Sequence, residues 1–368
     1  MTSFPPDFIA RIEQDPFVPA GLLEALDTAP PTSVRLHPKR KSNFDATQVV
    51  AWNPNGIYLE ERPAFTYDPL FHAGAYYPQE AGSMYLQKAL EQLAIPENPV
   101  VLDLSAAPGG KSTLIASFLN HKGVLIANEI NRSRAYILSE NLTKWGYANV
   151  FVCNHKPSEL NVLAGQIDVL VVDAPCSGEG MFRKDHNARG EWNLSNAQIC
   201  AERQTAILAE VWPLLKEGGY LIYSTCTFNP EENEQQLLGF LEDESAQKVQ
   251  LPHFEGMQTD RNAIGHYFFP NQIKSEGFYI AALQKLKRTN SKHRPSKNNL
   301  VNGAPKDLLT LLNPATHLAY WQEADMVFAT TPFALSFYAG IQALKFLKKG
   351  THVATAHKKS WTDRKSVV

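Results

Sequence analysis

The stretch VVLDLSAAPGGKS, residues 100–112, joins a run of apolar residues to a turn of small ones. The apolar run is typical of a parallel strand that is buried on both faces, and the residues after the two glycines can begin a helix. A strand, a small-residue turn and a helix direct backbone N–H groups and the positive end of the helix dipole toward an anionic or zwitterionic ligand. The stretch therefore predicts a cofactor turn at the edge of an α/β sheet.

Around this turn, apolar strands alternate with segments of helical length, which is typical of a doubly wound parallel sheet. The predicted strands are 100–104, 123–128, 150–153, 168–173 and 220–224, followed by an antiparallel pair at 266–269 and 278–283. The predicted helices are 111–119, 132–145 and 195–215. The pattern predicts a Rossmann-like α/β fold.

Changes in composition divide the chain into four predicted segments. Residues 1–95 contain scattered prolines and aromatics, a helix at 7–13 and a strand near 56–60, which predicts a small α+β accessory domain. The other predicted segments are a catalytic domain at 96–285, a basic linker at 286–305 and a short C-terminal extension at 306–368. The basic runs at 35–41 and between 277 and 306 are interpreted either as solvated segments or as RNA contacts.

The bulk properties exclude several classes of protein. With 368 residues, 44% of them hydrophobic, and a net charge of −2, the chain is expected to be globular and not to coat nucleic acid along its whole surface. No apolar run approaches the roughly 20 residues of a transmembrane helix and no signal peptide is recognisable, so we expect a cytoplasmic monomer with no membrane partner. The four cysteines lack CxxC spacing, which predicts reduced thiols and no metal site.

Three ligands compete for the turn. A P-loop requires glycine at position 105, where Ser105 stands, and a dinucleotide-binding G-x-G-x-x-G motif is absent because Gly109 and Gly110 are adjacent. S-adenosylmethionine remains as the predicted cofactor. The residues of the turn that are expected to hold it are Ser105, Ala106, Ala107, Pro108, Gly109, Gly110 and Lys111.

Polar residues at the ends of the next strands extend this predicted site. Glu129 follows the second strand, where a carboxylate can accept the ribose hydroxyls, although an acid that caps the next helix would occupy the same position. Asn154 follows the third strand and is expected at the adenine edge. Asp173 ends the fourth strand and is expected to contact the cofactor as well.

Two cysteines each follow a predicted strand, at the position where function concentrates. Cys176 lies in DAPCSG after the fourth strand, and Cys226 lies in STCT after the fifth. Two thiols at one edge of a sheet indicate covalent catalysis. By contrast, Cys153 within a strand and Cys200 in the apolar pattern of a helix are interpreted as core residues.

Three motifs together resemble those of the Nop/Sun family of RNA cytosine-C5 methyltransferases, and they are most similar to its bacterial RsmF-like ribosomal branch. They are APGGK at 107–111, DAPCSGEG at 173–180 and YSTCTFNPEENE at 223–234. YPQEAGSM at 77–84 is similar to the family's entry motif, so the resemblance covers about residues 1–285. It implies a methyltransferase sheet that uses S-adenosylmethionine, an RNA-binding role for 1–95, and a partial RNA-binding segment at 306–368.

The resemblance also implies unequal roles for the two thiols. It assigns the attack on cytosine C6 to Cys226 and assistance in release to Cys176, whereas spacing leaves the roles open because a Pro-Cys pair carries the nucleophile of DNA cytosine methyltransferases. Cytosine C5 needs such an adduct because it is too electron-poor to attack a methyl sulfonium directly. Lys111 is a candidate for favouring the thiolate, and Asp173 for compensating charge at N3 and N4.

The implied substrate is a cytosine of ribosomal RNA, most specifically 16S rRNA in the small subunit or its precursor, unpaired or flipped out of its helix. In the loop after Cys176, Phe182 is expected to contact a base and Arg183 or Lys184 a phosphate; the alternative is an exposed loop with an apolar anchor. The alternatives for the whole chain are a tRNA cytosine-C5 methyltransferase and a catalytically weakened RNA-binding assembly factor. A third alternative, a P-loop-like nucleotidase, is disfavoured because Ser105 stands where a P-loop requires glycine.

Overall fold

The structure is a computed structural model that describes residues 3–45, 47–288, 302–303, 317–357 and 360–363. Most of the predicted basic linker and residues 306–316 of the predicted extension lie outside the described residues. The described strands form three sheets, of which the central one has ten strands and the other two have four each.

The elements of the N-terminal part are α1 (Pro6–Gln14), α2 (Leu22–Leu26), β1 (Thr32–Leu36), β2 (Val49–Val50), β3 (Asn53–Leu59), α3 (Pro69–His72), β4 (Tyr76–Pro78) and α4 (Leu86–Glu91). The four strands form an antiparallel sheet of order β2-β3-β1-β4. Phe8 and Ile12 lie one helical turn apart and are both buried, so α1 is amphipathic. The predicted helix at 7–13 and the strand near 56–60 are confirmed.

The central part alternates strands and helices as predicted. Its elements are β5 (Val100–Asp103), α5 (Gly110–Leu119), β6 (Val124–Asn128), α6 (Arg132–Trp145), β7 (Val150–Cys153), β8 (Ile167–Asp173), α7 (His186–Glu191), α8 (Leu194–Val211), β9 (Leu215–Thr225), α9 (Gln235–Glu242), β10 (Ala246–Lys248), β11 (Met257–Thr259), β12 (Gly265–Phe268) and β13 (Phe278–Lys285). All five predicted parallel strands are present, and the predicted late pair is β12 with β13.

The order of this sheet places the cofactor turn at a topological switch point. Its order is β11-β12-β13-β9-β8-β5-β6-β7, and β13 runs antiparallel to β9. The chain leaves β5 toward β6 and β7 on one side and returns on the other side with β8 and β9, all of them parallel to β5. Ligands of open α/β sheets bind in the crevice beyond the carboxyl ends of the strands at such a reversal. Residues 104–109 lie at that end of β5.

The core lies on both faces of the central sheet, because its strands are buried on both sides. Leu102, Ile126 and Val172 pack in one apolar cluster, and Val101 and Leu125 pack in a second. A third, smaller cluster fills the N-terminal sheet. Continuous runs of valine, leucine and isoleucine fit this two-sided burial.

Arg35 joins the N-terminal sheet to the central part, so the interpretation of 35–41 as solvated or RNA-contacting is wrong for this residue, whereas residues 38–41 are exposed. The side chain is 2% exposed and donates to the hydroxyl of Thr113 at 2.6 Å and to the carbonyl of Gly110 at 3.2 Å. Its guanidinium lies 4.7 Å from the centre of the Trp145 ring. Burial lowers the pKa of Arg35 to about 9. The accessory sheet therefore docks against the helix that follows the cofactor turn.

The C-terminal part holds elements that the sequence analysis did not anticipate. They are β14 (Ala319–Glu323), β15 (Met326–Thr330), α10 (Pro332–Gly340), β16 (Phe346–Lys349), β17 (Thr351–His357) and β18 (Ser360–Asp363). β14, β15, β17 and β18 form the third sheet, whereas β16 pairs antiparallel with β7 and extends the central sheet. In the described part of the chain, every helix is too short or too polar to cross a bilayer.

Candidate active site

The turn after β5 is held from outside by side chains that bind its carbonyl groups. Arg134 donates to the carbonyl of Ala107 at 2.8 Å, Asn141 to that of Pro108 at 2.8 Å, and Arg35 to that of Gly110. The C=O and N–H of a trans peptide point in opposite directions, so the bonded carbonyls of Pro108 and Gly110 direct the following N–H groups to the other side of the turn. This orientation fits an anionic ligand group at the start of α5.

Gly109 is required by the backbone of this turn. Its φ of +119° lies in the region that side chains rarely adopt, and it forms the N-terminal boundary of α5. The peptide bond between Ala107 and Pro108 is cis. The predicted turn residues Ser105 to Lys111 therefore lie in one tight connection between β5 and α5.

Asp103, the last residue of β5, is a buried acid that the sequence analysis did not assign. Its Oδ2 accepts the hydroxyl of Ser112 at 2.6 Å, whereas Oδ1 is buried with no hydrogen-bond partner among the described residues. Burial raises its pKa to about 7, and the nearby carboxylates of Asp173 and Glu129 add to the rise. An unpartnered buried oxygen at the switch point is a vacant acceptor for a ligand donor.

Glu129 and Asn154 lie together at the ends of β6 and β7. The Glu129 carboxylate is 3% exposed, accepts the N–H of Asn131 at 2.8 Å and lies 3.6 Å from the guanidinium of Arg134. The bond to Asn131 fits the helix-capping alternative, because Asn131 is the N-cap of α6. The amide of Asn154 donates to the carbonyl of Ile130 at 2.8 Å, so this side chain holds the loop that carries Glu129.

Lys111 and Asp173 form an ion pair between the cofactor turn and the end of β8. Their Nζ and Oδ1 atoms are 2.8 Å apart, and Ser224 donates its hydroxyl to the same oxygen at 2.7 Å. Burial opposes the charge of Lys111, but the Asp173 carboxylate and, further, Asp103 and Cys226 raise its pKa above the ordinary value. Lys111 is therefore a fixed cation whose field reaches the thiol of Cys226.

The two thiols of the predicted pair are in contact. The Sγ atoms of Cys176 and Cys226 are 3.1 Å apart, and the N–H of Cys226 donates to the Sγ of Cys176 at 3.3 Å. The hydrogen bond with Cys226 and then burial raise the pKa of Cys176 well above its ordinary value. The two cysteine loops therefore meet directly at the sulfur atoms of their cysteines.

The loop after Cys176 is packed inward, and the expected RNA contacts of Phe182 and Arg183 are wrong. Phe182 is fully buried, with its ring 4.9 Å from that of Phe8 in α1. Arg183 is 7% exposed and pairs with Glu276 at 2.9 Å. Lys184 is exposed, and its expected contact with a phosphate stays a prediction. Both errors come from partners far away in the chain, which a local pattern does not reveal.

Of the two cysteines interpreted as core residues, only Cys153 is one. Cys153 is fully buried in β7, which confirms its interpretation. Cys200 is partly exposed on α8, and that interpretation is wrong. Burial raises the pKa of Cys200, with further contributions from Glu232 and Cys226, so this third thiol lies within electrostatic reach of Cys226.

Replacing Phe182 with leucine is expected to lower the free energy of unfolding by about 1–2 kcal/mol, because the smaller side chain leaves a gap beside Phe8. Urea denaturation followed by circular dichroism measures this change. Lys184→Ala, two residues away and exposed, serves as the control and should leave stability unchanged. A Phe182→Leu variant with unchanged stability and weakened RNA binding would restore the base-contact interpretation.

Comparison with known proteins gives consistent results along most of the chain. The family model described as 16S rRNA methyltransferase RsmB/F matches residues 90–284, and that for the N-terminal domain of 16S rRNA methyltransferase RsmF matches residues 4–81. Ribosomal RNA small subunit methyltransferase F of Psychromonas ingrahamii is 37% identical over 65% of this chain and 51% of its own length. The protein of the same name from Vibrio parahaemolyticus is 31% identical over 85% of this chain and 69% of its own length.

Solved structures agree with this similarity. NSun6 from Pyrococcus horikoshii, solved with SFG, is 31% identical, with a TM-score of 0.55 over 64% of this chain and 58% of that one. A methyltransferase homolog protein from the same organism is 28% identical, with a TM-score of 0.62 over 72% of this chain and 90% of that one. The chain spans about half the length of the Psychromonas relative. The predicted Rossmann-like methyltransferase fold is confirmed.

Proposed function

The chain belongs to the RsmB/F family of 16S rRNA methyltransferases, and from this premise we propose that it methylates C5 of a cytosine in small-subunit ribosomal RNA through a covalent bond between Cys226 and C6. S-adenosylmethionine is the proposed methyl donor, which supplies the methyl group from its sulfonium when bound. The observation that carries the proposal is the contact of the two thiols at 3.1 Å, beside the ion pair of Lys111 with Asp173.

The residues at the switch point fit this cofactor. The N–H side of the turn after β5 suits its carboxylate, and the unpartnered Oδ1 of Asp103 suits its ammonium group. Glu129 is proposed as the acceptor for the ribose hydroxyls, and Asn154 lies beside it on the adenine side. Each of these groups is on or next to a strand end of the parallel sheet, so they are positioned by the core rather than by mobile loops.

In the proposed reaction the thiolate of Cys226 adds to C6, and the electron pair of the C5–C6 double bond makes C5 nucleophilic. Lys111 stabilises the thiolate before attack. Asp173, after taking up a proton, is the proposed donor to N3, where negative charge develops, and its second oxygen is the proposed acceptor for the N4 amino group. After C5 has been methylated, a base removes the C5 proton, the double bond reforms and the sulfur of Cys226 leaves C6. Cys176 is the proposed group that assists this release.

Incorporation of labelled methyl groups tests the activity. Incubation with labelled S-adenosylmethionine and either 16S rRNA, assembled small subunits or transfer RNA is expected to label the ribosomal substrate, and bisulfite sequencing then locates the modified cytosine. Labelling of transfer RNA alone would overturn the ribosomal part of the proposal. Failure to label any of the three substrates would contradict the methyltransferase activity itself.

A further inference from the structure

Two buried glutamates connect the two cysteine loops in a reciprocal manner. Glu179, in the loop of Cys176, accepts the N–H of Phe228 at 3.0 Å. Glu232, in the loop of Cys226, accepts the N–H of Ser177 at 2.8 Å. Each loop therefore carries a carboxyl group that binds a backbone N–H of the other loop. That N–H lies one or two residues after the cysteine of the other loop.

The two carboxyl groups differ in their electrostatic partners. Glu179 pairs with Arg11 of α1 and accepts the indole N–H of Trp192 at 3.1 Å. Glu232 has only neutral donors among the described residues: its Oε2 accepts Ser177 and the amide of Gln204, and its Oε1 has no hydrogen-bond partner. A buried carboxyl group without a cation is costly to keep, so its contact with Ser177 calls for a functional explanation.

Glu232 is itself anchored firmly to the Cys226 side. The hydroxyl of Tyr223 in β9 donates to its backbone carbonyl at 2.7 Å, and its own N–H donates to the carbonyl of Asn229 at 3.2 Å. Gln204 of α8 bonds both Glu232 and the carbonyl of Pro175, at 3.1 and 2.9 Å. Glu232 and Gln204 thus fix the residues on both sides of Cys176 relative to β9.

The position of Cys226 depends less on these contacts. Cys226 directly follows β9, whose register with β8 pairs Ser224 with Asp173. Cys176 lies outside this ladder, because it follows the end of β8 by three residues in an irregular loop. Besides the bonds of Glu232 and Gln204, the neighbouring Ser177 shares a hydroxyl contact with Thr227 at 3.0 Å. Loss of the Glu232 carboxyl group should therefore displace Cys176 and leave Cys226 in place.

We propose that Glu232 is a positioning residue that holds Cys176 against Cys226, and that the release of RNA from Cys226 depends on it. The inference rests on the proposed function, since it assigns a second residue to the release step. It separates two steps of one reaction: attack requires Cys226 and the Lys111–Asp173 pair, whereas release requires the Glu232–Ser177 contact as well.

The test compares Glu232→Ala with Glu232→Gln and with Glu231→Ala. Glutamine retains an oxygen that can accept both N–H groups, and Glu231 is the exposed neighbour of Glu232. Glu232→Ala is expected to turn over about ten to a hundredfold more slowly and to accumulate a denaturant-resistant RNA adduct, because a displacement of about 1 Å has such effects on rates. Glu232→Gln should restore most of the rate, and Glu231→Ala should match the wild type.

Two outcomes would overturn the proposal. One is a Glu232→Ala variant that keeps wild-type turnover. The other is a slower variant in which adduct and product fall together in proportion to a lower melting temperature, as a purely structural role requires.

A measurement without RNA distinguishes this inference from the proposed function. Diamide oxidises two neighbouring thiols to a disulfide and is itself reduced to a hydrazine, so the rate of joining Cys176 to Cys226 reports their proximity. Glu232→Ala should slow this step severalfold relative to the wild type, and Glu232→Gln should not. Equal rates of disulfide formation in all three proteins would contradict the positioning role. A wild-type protein that forms the disulfide rapidly but methylates no RNA would contradict only the proposed reaction and its release step.

Discussion

Replacing Cys226 with alanine is expected to abolish both methyl transfer and the covalent RNA adduct, whereas replacing Cys176 with alanine is expected to leave RNA bound to the protein. Without the sulfur that adds to C6, C5 of cytosine is not activated, and the loss should be on the order of 10⁴-fold or more. Without Cys176, attack still proceeds and release fails. The 3.1 Å contact between the thiols makes the two roles compatible with one bound base.

The adduct is measured as a shifted protein band under denaturing conditions that disappears on treatment with ribonuclease, and methyl transfer is measured in single-turnover reactions. Cys200→Ala provides a matched control, because this third cysteine is partly exposed and lies within electrostatic reach of Cys226 without touching either loop by a described hydrogen bond. It is expected to behave as the wild type. An adduct that accumulates in the Cys226 variant instead of the Cys176 variant would reverse the two roles.

The fold could be predicted where local signals and burial agree. The predicted helix 132–145 has the observed bounds of α6, because Asn131 accepts the N–H of Arg134 at its start and Gly146 adopts a positive φ at its end. The helix predicted at 195–215 is too long: α8 ends at Val211, and Pro213 follows in a short 3-10 turn. The apolar residues of that turn continue the helical pattern without continuing the helix.

The elements that were missed depend on partners that are distant in the sequence. β9 begins at Leu215, which pairs with Ile167 of β8, rather than at 220. Its polar and glycine-containing residues 216–219 form an irregularity before the pairing resumes at Tyr220, so this start does not resemble a buried strand. β16 is likewise recognisable only from its pairing with β7. A four-residue strand that ends in two lysines gives no local signal of the sheet edge that it will join.

The sequence predicted the cofactor turn and the two cysteines of the candidate site, but not the buried residues that hold their loops in place. The cofactor turn and both cysteines follow strands, and the sheet order brings them to one edge. Glu179 and Glu232 lay inside the motifs GEG and PEENE, yet the sequence does not show that each is buried against the opposite loop. The sequence shows an acid between two glycines at 179 and an acid among other polar residues at 232, and acids in such loops are usually solvated.

Replacing Asp173 with asparagine is expected to reduce the rate of adduct formation by about 10²–10⁴-fold, which is the usual range for a group that compensates charge or transfers protons in a transition state. Asparagine retains an oxygen for the hydroxyl of Ser224 but removes the negative charge that faces Lys111. Loss of that charge also lowers the pKa of Lys111, because the Asp173 carboxylate is the main group that offsets its burial. Both effects weaken attack, so adduct should form slowly even when Cys176 is absent.

Asp168→Asn is the matched control at the other end of the same strand. Asp168 pairs with Lys216 at 2.7 Å and accepts the N–H of Val100 at 2.7 Å. It therefore forms an Asp–Lys pair at the amino end of β8, like the pair that Asp173 forms with Lys111 at the carboxyl end. Removing its charge should lower the stability of the fold and leave the single-turnover rate of the folded protein unchanged. If both variants lose rate equally, Asp173 supports the sheet rather than the reaction. If only Asp173→Asn loses rate, Asp173 supports the reaction. If the double variant Asp173→Asn/Cys176→Ala also forms adduct slowly, Asp173 acts before release, at the step in which the ring acquires charge.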